Sequence, residues 1–374
     1  MTVLVTGASG FLGTAIVERL LAYKESRLRC FIRPTSDTVR LENLRLQYPT
    51  STLEYVIGNL ISPKDVYRAL EGVTTVYHVA AQMRGAPASV FLNTVIASKR
   101  LLEAMLETRP RRVILVSSLS VYGSSRLHRK MIIDETAELE QCPEKRDAYS
   151  HAKLRQESLF REYQAKSGFE LVILRPGVIY GRGGSDFSPR VGLVVGGWLL
   201  QVGRHNLLPF TYVDNCAEAI VVAGTSPDVP YSAYNVVDDD LPTGAEYLSG
   251  YRHFVGRIHS IPFPFCIITL LSKLVEGYSI YSHGQIAPIL TPYKSAVLWK
   301  GSRYDNARIK SIGWQQRIST KAALLETFAY LKWRKNGCEA TKAYADRCGA
   351  TVASQAGRGE RLTESKSSPA LMQS

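Results

Sequence analysis

The chain has 374 residues, of which 45% are hydrophobic, enough to bury a core in one large domain or in two packed ones. Its 46 Lys and Arg against 33 Asp and Glu give a formal charge of +13, but no basic stripe is interleaved with aromatic residues, so we favour a solvated basic surface over a nucleic-acid site. The six cysteines lie far apart, without CxxC or metal-ligand spacing, which predicts no metal site and a reducing, cytoplasmic environment.

Strand-like and helix-like patterns alternate along the first half of the chain. In chain order the pattern predicts a strand over 3–5, a helix over 15–23, strands over 28–32 and 76–79, a helix over 94–106, a strand over 113–116, a helix over 148–164 and a strand over 171–174. Strands joined by helices are parallel, and continuous apolar strands are buried on both faces. The sequence therefore predicts an α/β fold with a doubly wound parallel (Rossmann) sheet.

The pattern changes twice along the chain and so divides it into three regions. Residues 1–175, with a strand and helix around 210–240, are expected to form the Rossmann domain. Segment 176–335 is expected to form mainly a smaller substrate-binding lobe at the carboxyl ends of the strands. Residues 336–374 have few large apolar side chains, which predicts a disordered tail. Because the first strand begins at the third residue, we expect no signal peptide.

One strongly apolar stretch begins at Ile261 and is interrupted by two prolines. It soon meets Lys273 and Glu276, so it is too short to span a bilayer. We favour a buried helix for this stretch, over a pocket wall or a segment that contacts a membrane surface.

Three glycines follow the first strand, in the run Gly7-Ala-Ser-Gly10-Phe-Leu-Gly13, and a helical pattern begins there. This is the context of the dinucleotide-binding fingerprint. Gly7 permits a tight turn, Gly10 lets the backbone approach a pyrophosphate, and Gly13 lets the helix pack on the strand. The helix N-terminus then faces the phosphates. The run therefore predicts a dinucleotide cofactor, over a plain strand-to-helix turn.

Residues after the second and third strands bear on the choice of cofactor. Arg33 follows the second strand, where an acid would bind a ribose hydroxyl and an Arg suits a 2′-phosphate. Arg33 thus favours NADP, while NAD stays open as the cofactor. We favour this role over that of a merely solvated Arg at the end of a strand, and Ser36 would add a hydroxyl. Asn59 follows the expected third strand, and its amide suits an adenine edge.

A tyrosine and a lysine four residues apart, Tyr149 and Lys153, share one face of a predicted helix. A phenol titrates near pH 10, and a neighbouring ammonium would lower its pKa toward the range of a useful acid or base. Ser118 follows the strand over 113–116, where its hydroxyl would position a reacting oxygen. With the glycine run, these residues predict an active site, over a solvated Tyr/Lys pair.

Seven segments together resemble the extended short-chain dehydrogenase/reductase family. They are TGASGFLG (6–13), GNL (58–60), HVAA (78–81), SSLSVYG (117–123), YSHAK (149–153), RPGVIYG (175–181) and FTYVDN (210–215). The resemblance implies that Tyr149 is the general acid/base, that Lys153 orients the nicotinamide ribose, and that Ser118 holds the substrate oxygen. It implies cofactor contacts at Gly7, Ser9, Gly10, Phe11, Leu12, Gly13, Arg33, Asn59, Leu60, Ala80, Ala81, Tyr149, Lys153, Pro176 and Val178. A homodimer through two helices is usual in the family.

Two positions distinguish this chain from the nucleotide-sugar members of that family. Those members usually carry an Asn after the RP strand and an Arg before the aromatic residue of FTYVDN, whereas this chain has Val178 and the apolar run 207–209. Arg182 and Arg190 remain and could clamp an anionic group of a substrate, but we favour the interpretation of both as loop residues. The pattern most resembles the 3β-hydroxysteroid dehydrogenase-like branch, which implies an apolar substrate.

Three functions are compatible with these residues. The leading hypothesis is an NAD(P)-dependent oxidoreductase that interconverts a secondary alcohol and a ketone on an apolar, sterol- or terpenoid-like molecule. A nucleotide-sugar epimerase or dehydratase would share the first half-reaction. A non-catalytic dinucleotide-sensing protein is the alternative from another class, and the intact Ser118, Tyr149 and Lys153 disfavour it.

Overall fold

Short runs of buried apolar residues form the strands. Helices cover both faces of a parallel sheet, so its strands need no polar face, and Thr2–Thr6 and Arg112–Val116 are buried at every position. The strands are, in chain order, β1 (Thr2–Thr6), β2 (Arg27–Ile32), β3 (Thr52–Ile57), β4 (Val73–His78), β5 (Arg112–Val116), β6 (Ile132–Ile133), β7 (Glu170–Pro176), β8 (Val178–Tyr180), β9 (Leu193–Val195), β10 (Trp198–Gln201), β11 (Phe210–Tyr212), β12 (Ala233–Val236), β13 (His259–Pro262) and β14 (Arg303–Tyr304). The structure is a computed structural model that describes residues 1–337 other than 25–26, 124–127, 186 and 283–290.

The main sheet has parallel strands in the order β12-β7-β5-β4-β1-β2-β3. The chain starts at β1, winds outward through β2 and β3, and then crosses back to β4 on the other side. Doubly wound sheets bind ligands at such a reversal, at the carboxyl ends of the strands. The predicted Rossmann fold is therefore confirmed, and it places the ligand edge beside β1 and β4. Smaller sheets, with the orders β13-β10-β9, β11-β8 and β14-β6, lie outside the main one.

Helices cover the two faces of the main sheet. The α-helices of the described residues are, in chain order, α1 (Phe11–Ala22), α2 (Val39–Gln47), α3 (Pro63–Leu70), α4 (Pro87–Phe91), α5 (Ala97–Thr108), α6 (Ala148–Ser167), α7 (Val213–Thr225), α8 (Gly244–Phe254), α9 (Phe265–Tyr281), α10 (Pro292–Lys300), α11 (Ala307–Ser311) and α12 (320–337). A π-helical turn, Leu92–Ile96, joins α4 to α5. One core cluster contains Ile16 of α1 and Ile220 of α7, and a second contains Leu101 of α5 and Phe160 of α6.

Every strand and helix predicted in the first half of the chain is present, but the pattern did not reveal α2 and α3. Helix α2 buries only Leu41 and Leu44, too few for a visible apolar stripe. Helix α3 has eight residues and begins after Ser62, whose hydroxyl accepts from the backbone N–H of Asp65. Both are short connections between strands, for which periodicity is a weak signal.

The expectation of a buried helix after Ile261 is wrong. The stretch forms β13 and then α9, and α9 exposes a row of apolar side chains at Ile267, Leu270, Leu271 and Leu274. Hydropathy does not tell whether a neighbouring element covers a helix, so it did not reveal this exposure. In the part of the chain that the structure describes, no helix combines the length and the hydropathy that crossing a membrane requires.

The end of the chain was predicted to be disordered from residue 336. Residues 336 and 337 belong to α12, so the helical part extends slightly beyond the expected boundary. The rest of that segment, 338–374, lies outside the described residues.

Candidate active site

The residues proposed from the sequence gather at one edge of the main sheet. Each group follows the carboxyl end of a strand: Gly7 to Gly13 follow β1, Arg33 follows β2, Asn59 and Leu60 follow β3, Ala80 and Ala81 follow β4, Ser118 follows β5, and Pro176 and Val178 lie at the end of β7 and the start of β8. Because the strands are parallel, these ends lie at the same edge. The fold thus brings residues that are up to about 170 positions apart in the sequence onto one surface.

The glycine loop after β1 has the geometry of a phosphate cradle. Gly7 has φ +69°, and a Cβ there would lie 3.0 Å from the backbone N and Cα of Ala80. A Cβ on Gly13 would lie 2.0 Å from the carbonyl oxygen of Gly7. Gly10 directly precedes α1, and no side chain among the described residues caps this helix end. Unpaired N–H groups at a helix N-terminus attract anions, so the loop fits the phosphates of a dinucleotide.

The loops after β2 and β3 contain Arg33 and Asn59, two further residues expected to bind the cofactor. Arg33 is exposed, and its backbone N–H donates to the hydroxyl of Ser36 at 3.1 Å, so that hydroxyl already belongs to a turn. Asn59 is exposed as well, and its side-chain oxygen accepts from the N–H of Ile61 at 3.0 Å. The Asn59 amide therefore keeps its NH₂ donors for a ligand, while its oxygen shapes the loop.

Asp65 supports the loop after β3, although it is not among the residues predicted from the sequence. Its Oδ2 accepts from the backbone N–H of Asn59 at 3.0 Å. Gly58 allows this contact, since a Cβ there would lie 2.7 Å from the Cβ of Asp65. The signal was present in the sequence as an acid in the first turn of a helix that begins with Ser-Pro.

Tyr149 lies in the first turn of α6, where the helix approaches the end of β5. Asp147 caps the start of the helix, and its Oδ1 accepts from the N–H of Ser150 at 3.0 Å. The hydroxyl of Ser118 accepts from the N–H of Ser120 at 3.1 Å and lies close enough to the Tyr149 phenol to favour its phenolate form. The structure thus brings Ser118 and Tyr149 together at one site.

Burial controls the titration of that phenol. Removal from water raises the pKa of Tyr149 to about 12, the hydrogen bond with Ser118 lowers it, and the charge of Asp147 raises it. The sequence-based expectation that Lys153 lowers this pKa below its ordinary value is therefore wrong here. Desolvation of the phenolate outweighs the ammonium, whose nitrogen lies 6.0 Å from the centre of the Tyr149 ring.

Lys153 is buried, with only 2% of its surface exposed. Its Nζ donates to the carbonyl oxygen of Val116 at 2.8 Å and to Oε1 of Gln156 at 2.9 Å. Burial lowers the pKa of Lys153 to about 7, and the charge of Glu157 opposes this shift. Two of the three ammonium N–H groups are thus bonded within the described chain, which leaves one for a ligand.

A doubly wound parallel sheet with a glycine loop at its switch point is the architecture of the dinucleotide-binding Rossmann type, and the Tyr/Lys pair lies at the same sheet edge. Residues 3–236 match the model of the NAD dependent epimerase/dehydratase family, and the chain belongs to that family. The resemblance to extended short-chain dehydrogenases/reductases is confirmed.

Relatives of known name cover most of the chain. It is 25% identical over 361 residues to the 3beta-hydroxysteroid-dehydrogenase/decarboxylase isoform 1 of Arabidopsis thaliana, an alignment that spans 88% of this chain and 80% of the relative. It is 26% identical over 340 residues to the Mus musculus sterol-4-alpha-carboxylate 3-dehydrogenase, decarboxylating, spanning 86% and 89%. These names agree with the predicted enzyme class, an oxidoreductase of the short-chain dehydrogenase/reductase type.

A solved structure confirms the fold at a greater distance. The UDP-glucuronic acid 4-epimerase from Bacillus cereus, in complex with NAD, superposes with a TM-score of 0.67 at 19% identity and covers 89% of this chain and 99% of its own. At that identity the likeness concerns the fold alone.

Proposed function

We propose that this chain is an NAD(P)-dependent oxidoreductase that interconverts a secondary alcohol and a ketone on an apolar, sterol- or terpenoid-like substrate. The observation that carries the proposal is that Ser118 lies beside Tyr149, with the glycine loop of β1 at the same sheet edge and Lys153 on the same helix. Two neighbouring hydroxyls can bond to one substrate oxygen, and this is what a carbonyl reduction or carbinol oxidation requires.

The three side chains take distinct parts in the reaction. When bound, a nicotinamide cofactor supplies or accepts the hydride at the carbinol carbon. Tyr149, whose pKa of about 12 keeps it protonated at neutral pH, donates its proton to a ketone oxygen and takes the hydroxyl proton in the reverse direction. Ser118 orients that oxygen. Lys153 offers its remaining N–H to a ribose hydroxyl, and its charge stabilises a phenolate as the proton leaves.

The proposed cofactor is NADP, with NAD as the alternative, and Tyr149 and Lys153 would contact it together with the glycine loop. Arg33 supports this choice, because it is an exposed cation directly after β2, the strand adjacent to β1. A guanidinium there suits a 2′-phosphate.

The position of the two apolar segments that distinguish this chain from nucleotide-sugar members supports an apolar substrate. The N–H of Val178 donates to the carbonyl oxygen of Pro209 at 2.7 Å, so the two apolar segments lie side by side. Arg182 is paired with Glu326 at 3.5 Å, and Arg190 donates to the carbonyl oxygen of Val297 at 3.3 Å. Both arginines therefore have partners within the chain, in keeping with their interpretation as loop residues.

The experiment has two stages on the purified protein. Fluorescence titration with NADPH and NADH measures cofactor binding, and turnover is then measured with a 3-hydroxysterol, with smaller secondary alcohols and with UDP-glucose. We expect exchangeable cofactor and turnover on the apolar alcohols, reduced about 10²- to 10⁴-fold in Tyr149→Phe with cofactor affinity retained. The control is Tyr163→Phe, on the same helix.

Three results would contradict the proposal. Turnover on UDP-glucose alone, with tightly retained cofactor, would make the chain an epimerase. Unchanged turnover in Tyr149→Phe would remove the catalytic role of this phenol. Cofactor binding without turnover on any of these substrates would favour a sensing protein.

A further inference from the structure

Lys153 is attached to a buried chain of polar side chains that reaches the strand before the glycine loop. Its links are Lys153, Gln156, Ser98, His78 and Thr6, each at most 2% exposed. Successive side-chain atoms lie 2.9, 2.7, 2.9 and 2.8 Å apart. Buried polar groups that are all satisfied hold one geometry, because any rearrangement leaves a group unpaired.

The direction of each hydrogen bond near the lysine follows from chemistry. An ammonium only donates, so the oxygen of the Gln156 amide faces Lys153 and its NH₂ faces Ser98. The hydroxyl of Ser98 donates to the carbonyl oxygen of Thr94 at 2.5 Å, because a carbonyl only accepts. Its two lone pairs therefore receive the Gln156 NH₂ and one further donor.

That further donor is the Nε2–H of His78, which lies 2.9 Å away. Burial lowers the pKa of His78 to about 3, so the ring is neutral and carries a single proton. With that proton on Nε2, Nδ1 accepts from the hydroxyl of Thr6 at 2.8 Å. Thr6 in turn accepts from the N–H of Ala80 at 3.3 Å, next to Gly7. The whole chain thus has one consistent set of proton positions.

We propose that Gln156 is a positioning residue: its side-chain amide fixes the ammonium of Lys153 and ties it to the strand that leads into the cofactor loop. This inference rests on the proposed function, in which Lys153 serves the cofactor and the phenol. Gln156 touches neither the phenol nor Ser118 in the hydrogen-bond pattern of the described residues and acts through Lys153 alone. The other titratable groups around Lys153 are Tyr149, His78 and Glu157.

The test compares variants by the titration of Lys153 itself. Gln156→Met removes the acceptor at similar volume, so the charged amine loses a partner and its pKa falls. Gln156→Glu places a carboxylate at the same position, so its pKa rises. We expect displacements of about one pH unit in opposite directions. Gln164→Met, two turns along the same helix, is the matched control and leaves the titration unchanged.

The measurement is the ¹³Cε chemical shift of ¹³C-labelled lysine against pH, with the Lys153 signal assigned by its loss in Lys153→Arg. A purely structural role for Gln156 would leave Lys153 titrating at one pH in all the proteins, and that result overturns the proposal. A shift of the Lys153 pKa in the same direction in Gln156→Met and Gln156→Glu also overturns the proposal. If Gln156→Met does not fold, Gln156→Glu decides alone, since a raised pKa supports the proposal and an unchanged one refutes it. No substrate is used, so a failure of the proposed oxidoreductase activity is detected separately, by turnover.

Discussion

Arg175 and Glu157 form a buried two-pronged ion pair that joins β7 to α6, the helix that carries Tyr149 and Lys153. Nε of Arg175 lies 3.1 Å from one carboxylate oxygen of Glu157, and Nη2 lies 2.8 Å from the other. The Arg175 and Glu157 side chains are 3% and 1% exposed. Nη1 of Arg175 also donates to the hydroxyl of Tyr122 at 2.9 Å. Glu157 directly follows Gln156 in α6, so the ion pair holds this part of the helix against β7.

Glu157→Gln is expected to destabilise the fold strongly. The change leaves the Arg175 charge buried without its counter-charge, and loss of one partner of a buried pair costs about 3–5 kcal/mol. Urea unfolding measures the free energy. Glu162→Gln is the control, because Glu162 pairs with Lys166 on the exposed side of the same helix and its loss should barely change stability. An equal loss of unfolding free energy in Glu157→Gln and Glu162→Gln would show that burial does not make the Arg175–Glu157 pair more important than an exposed pair.

Gly13→Ala is expected to weaken both the fold and cofactor binding. The added Cβ would lie 2.0 Å from the Gly7 carbonyl oxygen, so α1 must move away from the loop. Such overpacking costs about 1–3 kcal/mol, and the displaced helix end should lower NADPH affinity at least about 10-fold. Unfolding and fluorescence titration measure the two effects.

Gly277→Ala provides the matched control for that glycine. Gly277 lies in α9, and nothing lies within 4 Å of an added Cβ. Alanine should therefore leave cofactor affinity unchanged and raise stability by up to about 1 kcal/mol, the usual helix preference. Normal NADPH binding by Gly13→Ala would show that the loop does not hold the cofactor.

Arg33→Ala is expected to change the preference between cofactors. Loss of a cation that faces a 2′-phosphate should weaken NADPH binding about 10-fold and leave NADH binding unchanged. Arg27→Ala, at the opposite end of β2, removes a charge that is also exposed but lies away from the ligand edge, and it should affect the binding of neither cofactor. Parallel titrations of the three proteins measure the ratio. If NADPH affinity is the same in all three, Arg33 does not select the cofactor.

His78 is expected to make the fold sensitive to acid. Its pKa is lowered from 6.5 to about 3, first by burial and then by the charge of Lys153. Between those values the unfolded chain binds a proton that the folded chain does not, so the free energy of unfolding falls as the pH falls. The loss between pH 7 and pH 5 should be about 2 kcal/mol.

His78→Gln should remove that part of the pH dependence, even though its stability at pH 7 is lower. His205→Gln, at an exposed position, should keep the wild-type slope. Guanidinium unfolding at several pH values gives the three curves. Parallel curves for wild type and His78→Gln would mean that the ring is not held neutral in the fold.

Local signals were sufficient for much of this site. Two of these signals are patterns of residues close in sequence: the glycine run after a strand, and the Tyr and Lys four residues apart. The sequence therefore predicted the loop, the Tyr/Lys pair and the doubly wound sheet. Asp65 was missed because its partner, the backbone of Asn59, is in a loop, and loop backbones leave no periodic pattern. The exposed row on α9 was missed because hydropathy does not say what lies beside a helix.

Only the tertiary structure decided how the side chains of the site are charged and held. Gln156 meets Ser98 across 58 residues, and Arg175 meets Glu157 across 18, so no local pattern reports either contact. The sign of the Tyr149 shift also depends on burial, which raises its pKa although an ammonium is near. Spacing along the chain determines which groups can share a helix face or a sheet edge, whereas desolvation and long-range partners, which exist only after folding, determine their protonation.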